Sequence, residues 1–73
     1  MVEISYSYNK LWKLLIDKGL SKTELRKLAD VSTNVIAKLG KCESVSMETL
    51  AKICAALDCN IEDIMEMSYS KDE

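Results

Sequence analysis

The sequence predicts an all-α protein of five short helices, with a short strand or arm ahead of the first. Three observations carry this expectation. A six-residue phrase, apolar residue, Ser or Asn, three residues, apolar residue, recurs along the chain. Its copies are Tyr6-Ser7 to Leu11, Leu20-Ser21 to Leu25, Val31-Ser32 to Ile36, Val45-Ser46 to Leu50 and Cys59-Asn60 to Ile64. Ser and Asn accept hydrogen bonds from the unpaired N–H groups of a helix's first turn, and the flanking apolar residues close over that turn as a hydrophobic staple. Between these caps the apolar residues follow helical spacing, most regularly after Ser46. Finally, 48% of the chain is hydrophobic, with no Pro and two Gly, which suits packed helices and argues against disorder.

The elements follow in order. Val2, Ile4, Tyr6 and Tyr8 alternate with Glu3, Ser5 and Ser7, the period-two pattern of a strand. A lone strand cannot satisfy its own backbone, so this one needs a partner in the C-terminal tail or in another subunit. Helix 1 is expected from Tyr8 to Lys18, stopped by Gly19. Its apolar positions Leu11, Trp12, Leu14, Leu15 and Ile16 spread wider than one stripe, as for a helix buried on more than one side.

Helix 2, Lys22 to Ala29, begins with the capping box Ser21-x-x-Glu24 and turns Leu25, Leu28 and Ala29 inward. Helix 3, Thr33 to Leu39, points Ile36 and Leu39 inward, with Val31 anchoring the preceding turn and Gly40 ending it. A polar loop, Lys41 to Val45, leads to helix 4, Met47 to Leu57. That helix buries Met47, Leu50, Ala51, Ile53, Cys54 and Leu57. Helix 5, Ile61 to Met65, offers Ile61, Ile64 and Met65, and the polar tail 68–73 is expected to fray.

Seventy-three residues are expected to make one domain, 1–73, with a small core. No apolar run approaches the length of a membrane span, and Met1-Val2-Glu3-Ile4 is not a basic signal-peptide start, so a cytoplasmic protein is expected. Cys42, Cys54 and Cys59 form no C-x-x-C pair, and the chain has no His, so neither zinc nor any other metal is expected. Cys54 and Cys59 read as small core residues of a reducing compartment. No Gly-rich phosphate loop and no nucleophile with a base is present, so the chain is not read as an enzyme, and no cofactor or small-molecule ligand is evident.

The net charge of −2 counts at first against nucleic acid. The distribution reverses that impression. Residues 22–41 carry Lys22, Arg26, Lys27, Lys38 and Lys41 against Glu24 and Asp30, a local +3, while the remainder is acidic. Within this basic stretch the caps Ser21 and Ser32 lie eleven positions apart. That spacing leaves a helix of about eight residues and a three-residue bend, the arrangement of a DNA-reading helix-turn-helix at about 21–39.

Leu20 to Leu39 resembles the lambda-repressor-like, Cro/Xre-type helix-turn-helix family, and Val45 to Leu50 with Ile53 to Ile64 looks like that family's fourth and fifth helices. The short length suggests its small single-domain bacterial regulators. Two departures stand out. Asp30 occupies a turn position where the family usually has Gly, and Arg26 a position where it usually has a small residue. Asp tolerates a left-handed backbone better than most residues, and Arg can snorkel outward. Cys42 stands in the loop where Gly or Asn would be more usual, as the expected exposed thiol.

The resemblance implies that the start of helix 3 enters the major groove, with Ser32, Thr33, Asn34, Ala37 and Lys38 at the matching positions. Asn34 can pair with adenine, Ser32 and Thr33 can reach phosphate or base, Lys38 can reach guanine or phosphate, and Ala37 can touch a thymine methyl. Lys22 and Lys41 match backbone-contacting positions on either side. Ser32 also has a plainer role as a cap, and Trp12, Tyr6, Tyr8 and Tyr69 read as core or subunit contacts rather than base-stacking platforms.

The expected function is therefore a sequence-specific, double-stranded DNA-binding transcriptional regulator, working as a homodimer on a partly palindromic operator. The competing reading is a protein-interaction module, antitoxin-like or anti-activator, that keeps the fold without reading bases. Val2, Ile4, Tyr6 and Tyr8, with Met65, Met67 and Tyr69 at the other end, are the expected dimer element.

Overall fold

Leu11, Leu25, Leu39, Ile53 and Ile64, each fully buried, come from five different segments and meet in one hydrophobic cluster. The computed structural model describes residues 2–71. Its elements are strand β1 (Val2–Ser7), helices α1 (Asn9–Lys18), α2 (Lys22–Ala29), α3 (Thr33–Gly40) and α4 (Met47–Leu57), a 3-10 turn (Ile61–Asp63), and strand β2 (Glu66–Lys71).

The caps at Ser21, Ser32 and Ser46 work where they were expected. Ser21 and Glu24 close a full capping box, each backbone N–H donating to the other's side chain at 3.1 Å. Ser32 accepts from the Val35 N–H at 3.3 Å and Ser46 from the Thr49 N–H at 3.1 Å. Ser7 does not cap α1. It is the last residue of β1, paired with Glu66, so Tyr8 takes the N-cap position of α1 without a side-chain cap bond. Asn9 N–H still reaches the Ser7 hydroxyl at 3.4 Å.

The expectation of five helices in an all-α fold is corrected, among the described residues, to four helices, one 3-10 turn and a two-stranded antiparallel sheet. The segment after Asn60 closes only a single tight turn. Asn60 N–H donates to Asp63 Oδ2 at 3.0 Å and Ile64 N–H to the Ile61 carbonyl at 3.1 Å. From Glu66 the chain must run extended to pair with β1, which cuts any longer helix short. Residues 68–71, expected to fray, are therefore strand, while residues 72 and 73 lie outside the described residues. The N-terminal strand takes its partner from the C-terminal segment of the same chain.

In the ladder Ile4 faces Tyr69 and Tyr6 faces Met67, so the apolar residues of both strands share one face. The opposite face carries Glu3, Ser5 and Ser7 against Ser70, Ser68 and Glu66. Lys10 ties the base of this ribbon to α1, with Nζ 3.3 Å from both Glu66 Oε1 and the Glu62 carbonyl. Tyr8 ties it to the other side of the core, donating its hydroxyl to the Glu43 carbonyl at 2.8 Å.

Several residues expected inside lie outside. Ile16, Leu28, Met47, Ala51 and Ile61 are exposed. Helices of eight to eleven residues around one small core bury a narrow stripe, and a residue one position off that stripe turns to solvent. Cys54 and Cys59 are half-buried rather than core, and both are free thiols. Burial, reinforced by the neighbouring Cys54 thiol, pushes the Cys59 thiol up to about 11. Among the described residues no helix is long and apolar enough to cross a membrane.

Candidate nucleic-acid interface

The α2–α3 unit is built by two caps and one left-handed residue. Asp30 ends α2 at φ 54°, and its N–H and that of Val31 both return to the Arg26 carbonyl. That backbone reversal is normally given to glycine, and Asp accepts it at modest cost. Val31 is buried beneath the turn and Ser32 opens α3 at once. Leu25 and Ala29 of α2 and Leu39 of α3 are buried together, which fixes the two helices against each other and leaves the start of α3 on the outside.

Thr33, Asn34, Ala37 and Lys38 are all exposed and fall on one side of α3. This face offers a hydroxyl, a carboxamide, a methyl and an ammonium in close succession. Ser32 is exposed too, but its oxygen is engaged as the α3 cap. Lys41 is exposed at the other end, where its N–H closes α3 on the Ala37 and Lys38 carbonyls.

Lys22, at the first position of α2, lies with its Nζ 4.6 Å from the centroid of the Trp12 ring. It also lines a shallow cleft of 220 Å³ with Thr23, Arg26, Thr33 and Ile36. The structure thus brings Lys22 and Thr33 together across the two helices, with Asn34, Ala37, Lys38 and Lys41 further along α3. Arg26 is half-buried in that cleft, so its stem covers the helix contact where a small residue would have left room. Thr23 is a cleft residue that motif matching did not single out, and Arg26 stood out there only as a departure from the family pattern. Their i, i+3 spacing on the α2 face carrying Lys22 was the available signal.

Among the described residues the basic side chains Lys22, Arg26, Lys27, Lys38 and Lys41 enter no ion pair. Their positive charge is free to meet an external anion, and apart from Glu24 and Asp30 the acidic residues lie elsewhere in the chain. No group of three potential metal ligands occurs among the described residues.

A family model described as the Cro/C1-type HTH DNA-binding domain matches residues 10–69. Among solved structures, the crystal structure of the transcriptional regulator VanUg, form II, is 51% identical, with a TM-score of 0.85 over 89% of this chain and 87% of that one. No curated protein matches the chain.

Proposed function

From a chain that belongs to the Cro/C1-type helix-turn-helix DNA-binding family, we infer a transcriptional regulator that reads double-stranded operator DNA by sequence, with α3 in the major groove. The observation that carries this reading is the exposed face of α3, where Thr33, Asn34, Ala37 and Lys38 stand together beside unpaired cations. Asn34 makes a two-point contact to adenine, Ala37 meets a thymine methyl, and Lys38 reaches guanine or phosphate. Lys22 and Lys41 hold the sugar–phosphate backbone on either side, and Thr33 and the Ser32 hydroxyl add phosphate contacts. One such module contacts too little DNA for high specificity, so the operator-bound form is a homodimer on two half-sites about one helical turn apart.

The test is a salt titration on duplexes from the chain's own promoter region, with random duplexes as reference. Affinity should fall steeply and linearly on logarithmic axes as salt rises. The promoter duplex should also bind more tightly than the random one at every salt concentration. The overall −2 charge and the polar, rather than arginine-rich, α3 leave the competing protein-interaction module open. A flat salt response with no promoter preference would establish that module in place of base reading.

A further inference from the structure

Among the described residues, six of the eight large exposed apolar side chains are gathered in one region, with Ile16 and Leu28 apart from it. Val2, Ile4, Met67 and Tyr69, each more than half exposed, lie on one face of the β1–β2 ribbon. Tyr6 and Met67 carry that face directly into a groove of 420 Å³ between the ribbon, the start of α4 and the 3-10 turn. The groove floor is apolar, with Tyr8, Leu50 and Met65, and Met47 and Ile61 stand exposed at its rim. Glu62 is the single charged residue lining it among the described residues.

We propose that ribbon face and groove together form a twofold interface, in which the apolar ribbon of each copy lies in the groove of a second copy of this chain. Three features select that occupant. A protruding apolar ridge and an apolar hollow sit side by side on the same molecule, which is the self-complementarity a closed twofold contact requires. A two-stranded ribbon has little stability in water unless one face is covered, and among the described residues it is Tyr6, at the inner end, that packs on the core. The six exposed apolar residues leave on the order of 600 Å² per copy, close to the roughly 800 Å² per partner of a standard stable interface. A small apolar ligand would fill the groove and leave the ribbon bare.

None of Lys22, Thr33, Asn34, Lys38 and Lys41 lines this groove, so the dimer keeps the DNA-facing side open. The interface deepens the dimeric reading given above and rests on it only for its use on an operator. Its test contains no DNA, so its failure is separate from a failure of base reading.

The experiment is sedimentation of the DNA-free full chain over a wide concentration range, alongside Ile4→Lys in the ribbon and Met47→Lys at the groove rim. Both positions are exposed in the single copy, so each variant should keep the helical circular dichroism of the parent. The parent should dimerise, and each substitution should weaken dimerisation by on the order of ten-fold or more. Ser5→Lys, on the polar face of the ribbon, should leave it unchanged. In mixtures of isotope-labelled and unlabelled chains, filtered NOEs should connect Val2 and Ile4 of one copy to Met47 and Ile61 of the other. A parent that stays monomeric overturns the proposal, and bright dye fluorescence from anilinonaphthalene sulfonate on that monomer would assign the groove to a small apolar ligand instead. A dimer that survives both lysine substitutions, or NOEs confined to ribbon–ribbon pairs, overturns it as well.

Discussion

The Lys22 ammonium stands 4.6 Å from the centroid of the Trp12 ring, bracing the first turn of α2 against α1. A contact of this kind contributes about 0.5–1 kcal/mol at an exposed site, enough to hold a flexible side chain near one position. That position borders the cleft shared with Thr33. Lys22→Ala should weaken binding to all duplexes alike and flatten the logarithmic salt slope by about one unit. Lys41→Ala should do the same from the far end of α3. Trp12→Leu keeps the Lys22 charge, so the slope should survive while affinity falls, and Trp12→Phe should restore most of the loss. Salt titrations of the four variants check this, and an unchanged slope in both lysine variants would remove those residues from the interface.

Asn34→Ala tests a different kind of contact. Its carboxamide is exposed in the first turn of α3 and has the two-point geometry that adenine recognition needs. Loss of the side chain should cost roughly 1–3 kcal/mol on the promoter duplex and relax preference at one position of each half-site. Binding measured across a panel of single-base operator variants reads this directly. Equal losses on promoter and random duplexes would make Asn34 a backbone contact only.

The helix starts at Ser21, Ser32 and Ser46 were legible because each cap is a local hydrogen bond between residues three apart. The same phrase misled at Ser7 and Asn60 for a non-local reason. Ser7 is committed to a ladder with Glu66, and the chain after Asn60 is drawn out to supply that ladder's other strand. A pairing between the two ends of a chain leaves only a weak alternation in Val2 to Tyr8 and the short apolar-polar run at Met67 and Tyr69. The core stripe was legible at Leu11, Leu25, Ile53 and Leu57, but Ile16, Leu28 and Met47 carry the same hydrophobicity and face solvent. Periodicity finds the angle of the stripe, and only packing sets its width. At the candidate interface, motif position located Lys22 and Thr33 separately. Their shared cleft with Arg26 depends on the crossing of α2 and α3, which no local pattern encodes.

Tyr8 is 1% exposed, yet its hydroxyl bonds the Glu43 carbonyl at 2.8 Å across 35 residues of sequence. The bond fixes the loop between α3 and α4 to the start of α1. Tyr8→Phe keeps the ring in the core and strands the carbonyl, so stability should fall by about 1–2 kcal/mol. Urea unfolding of the two proteins measures the difference, and an unchanged midpoint would mean that the carbonyl finds water at no cost.

Cys59 makes stability depend on alkaline pH. Its thiol ordinarily titrates at 9.0 and is pushed up to about 11 in the folded chain, chiefly by burial. Between those values the unfolded chain gives up the proton while the folded chain keeps it. The stabilisation is complete below pH 9 and lost as pH rises towards 11. Cys59→Ala should therefore show a flatter decline of urea midpoint over this window than the parent. Identical declines would place the shift in another group, with Tyr8, also raised by burial, the first to examine.

Asp30 and Asp58 end α2 and α4 at nearly the same left-handed backbone, φ 54° and φ 53°. A left-handed conformation costs an ordinary residue about 1–2 kcal/mol, less for Asp, whereas Gly adopts it freely but adds about 0.5–1 kcal/mol of unfolded-state entropy. Each carboxylate also lies at the negative end of a helix dipole, and neither makes a hydrogen bond or ion pair among the described residues. Strain and dipole together outweigh the entropy, so Asp30→Gly and Asp58→Gly should each stabilise the fold, by up to about 1 kcal/mol. Their effects on DNA should differ. Asp30 sits in the bend between the two basic helices, so removing its charge should tighten binding to every duplex, most clearly at low salt. Asp58 lies outside that stretch, and its substitution should change melting temperature alone. Thermal melts with low-salt titrations separate the two effects, and equal tightening in both variants would show that stability, rather than the Asp30 charge, controls affinity.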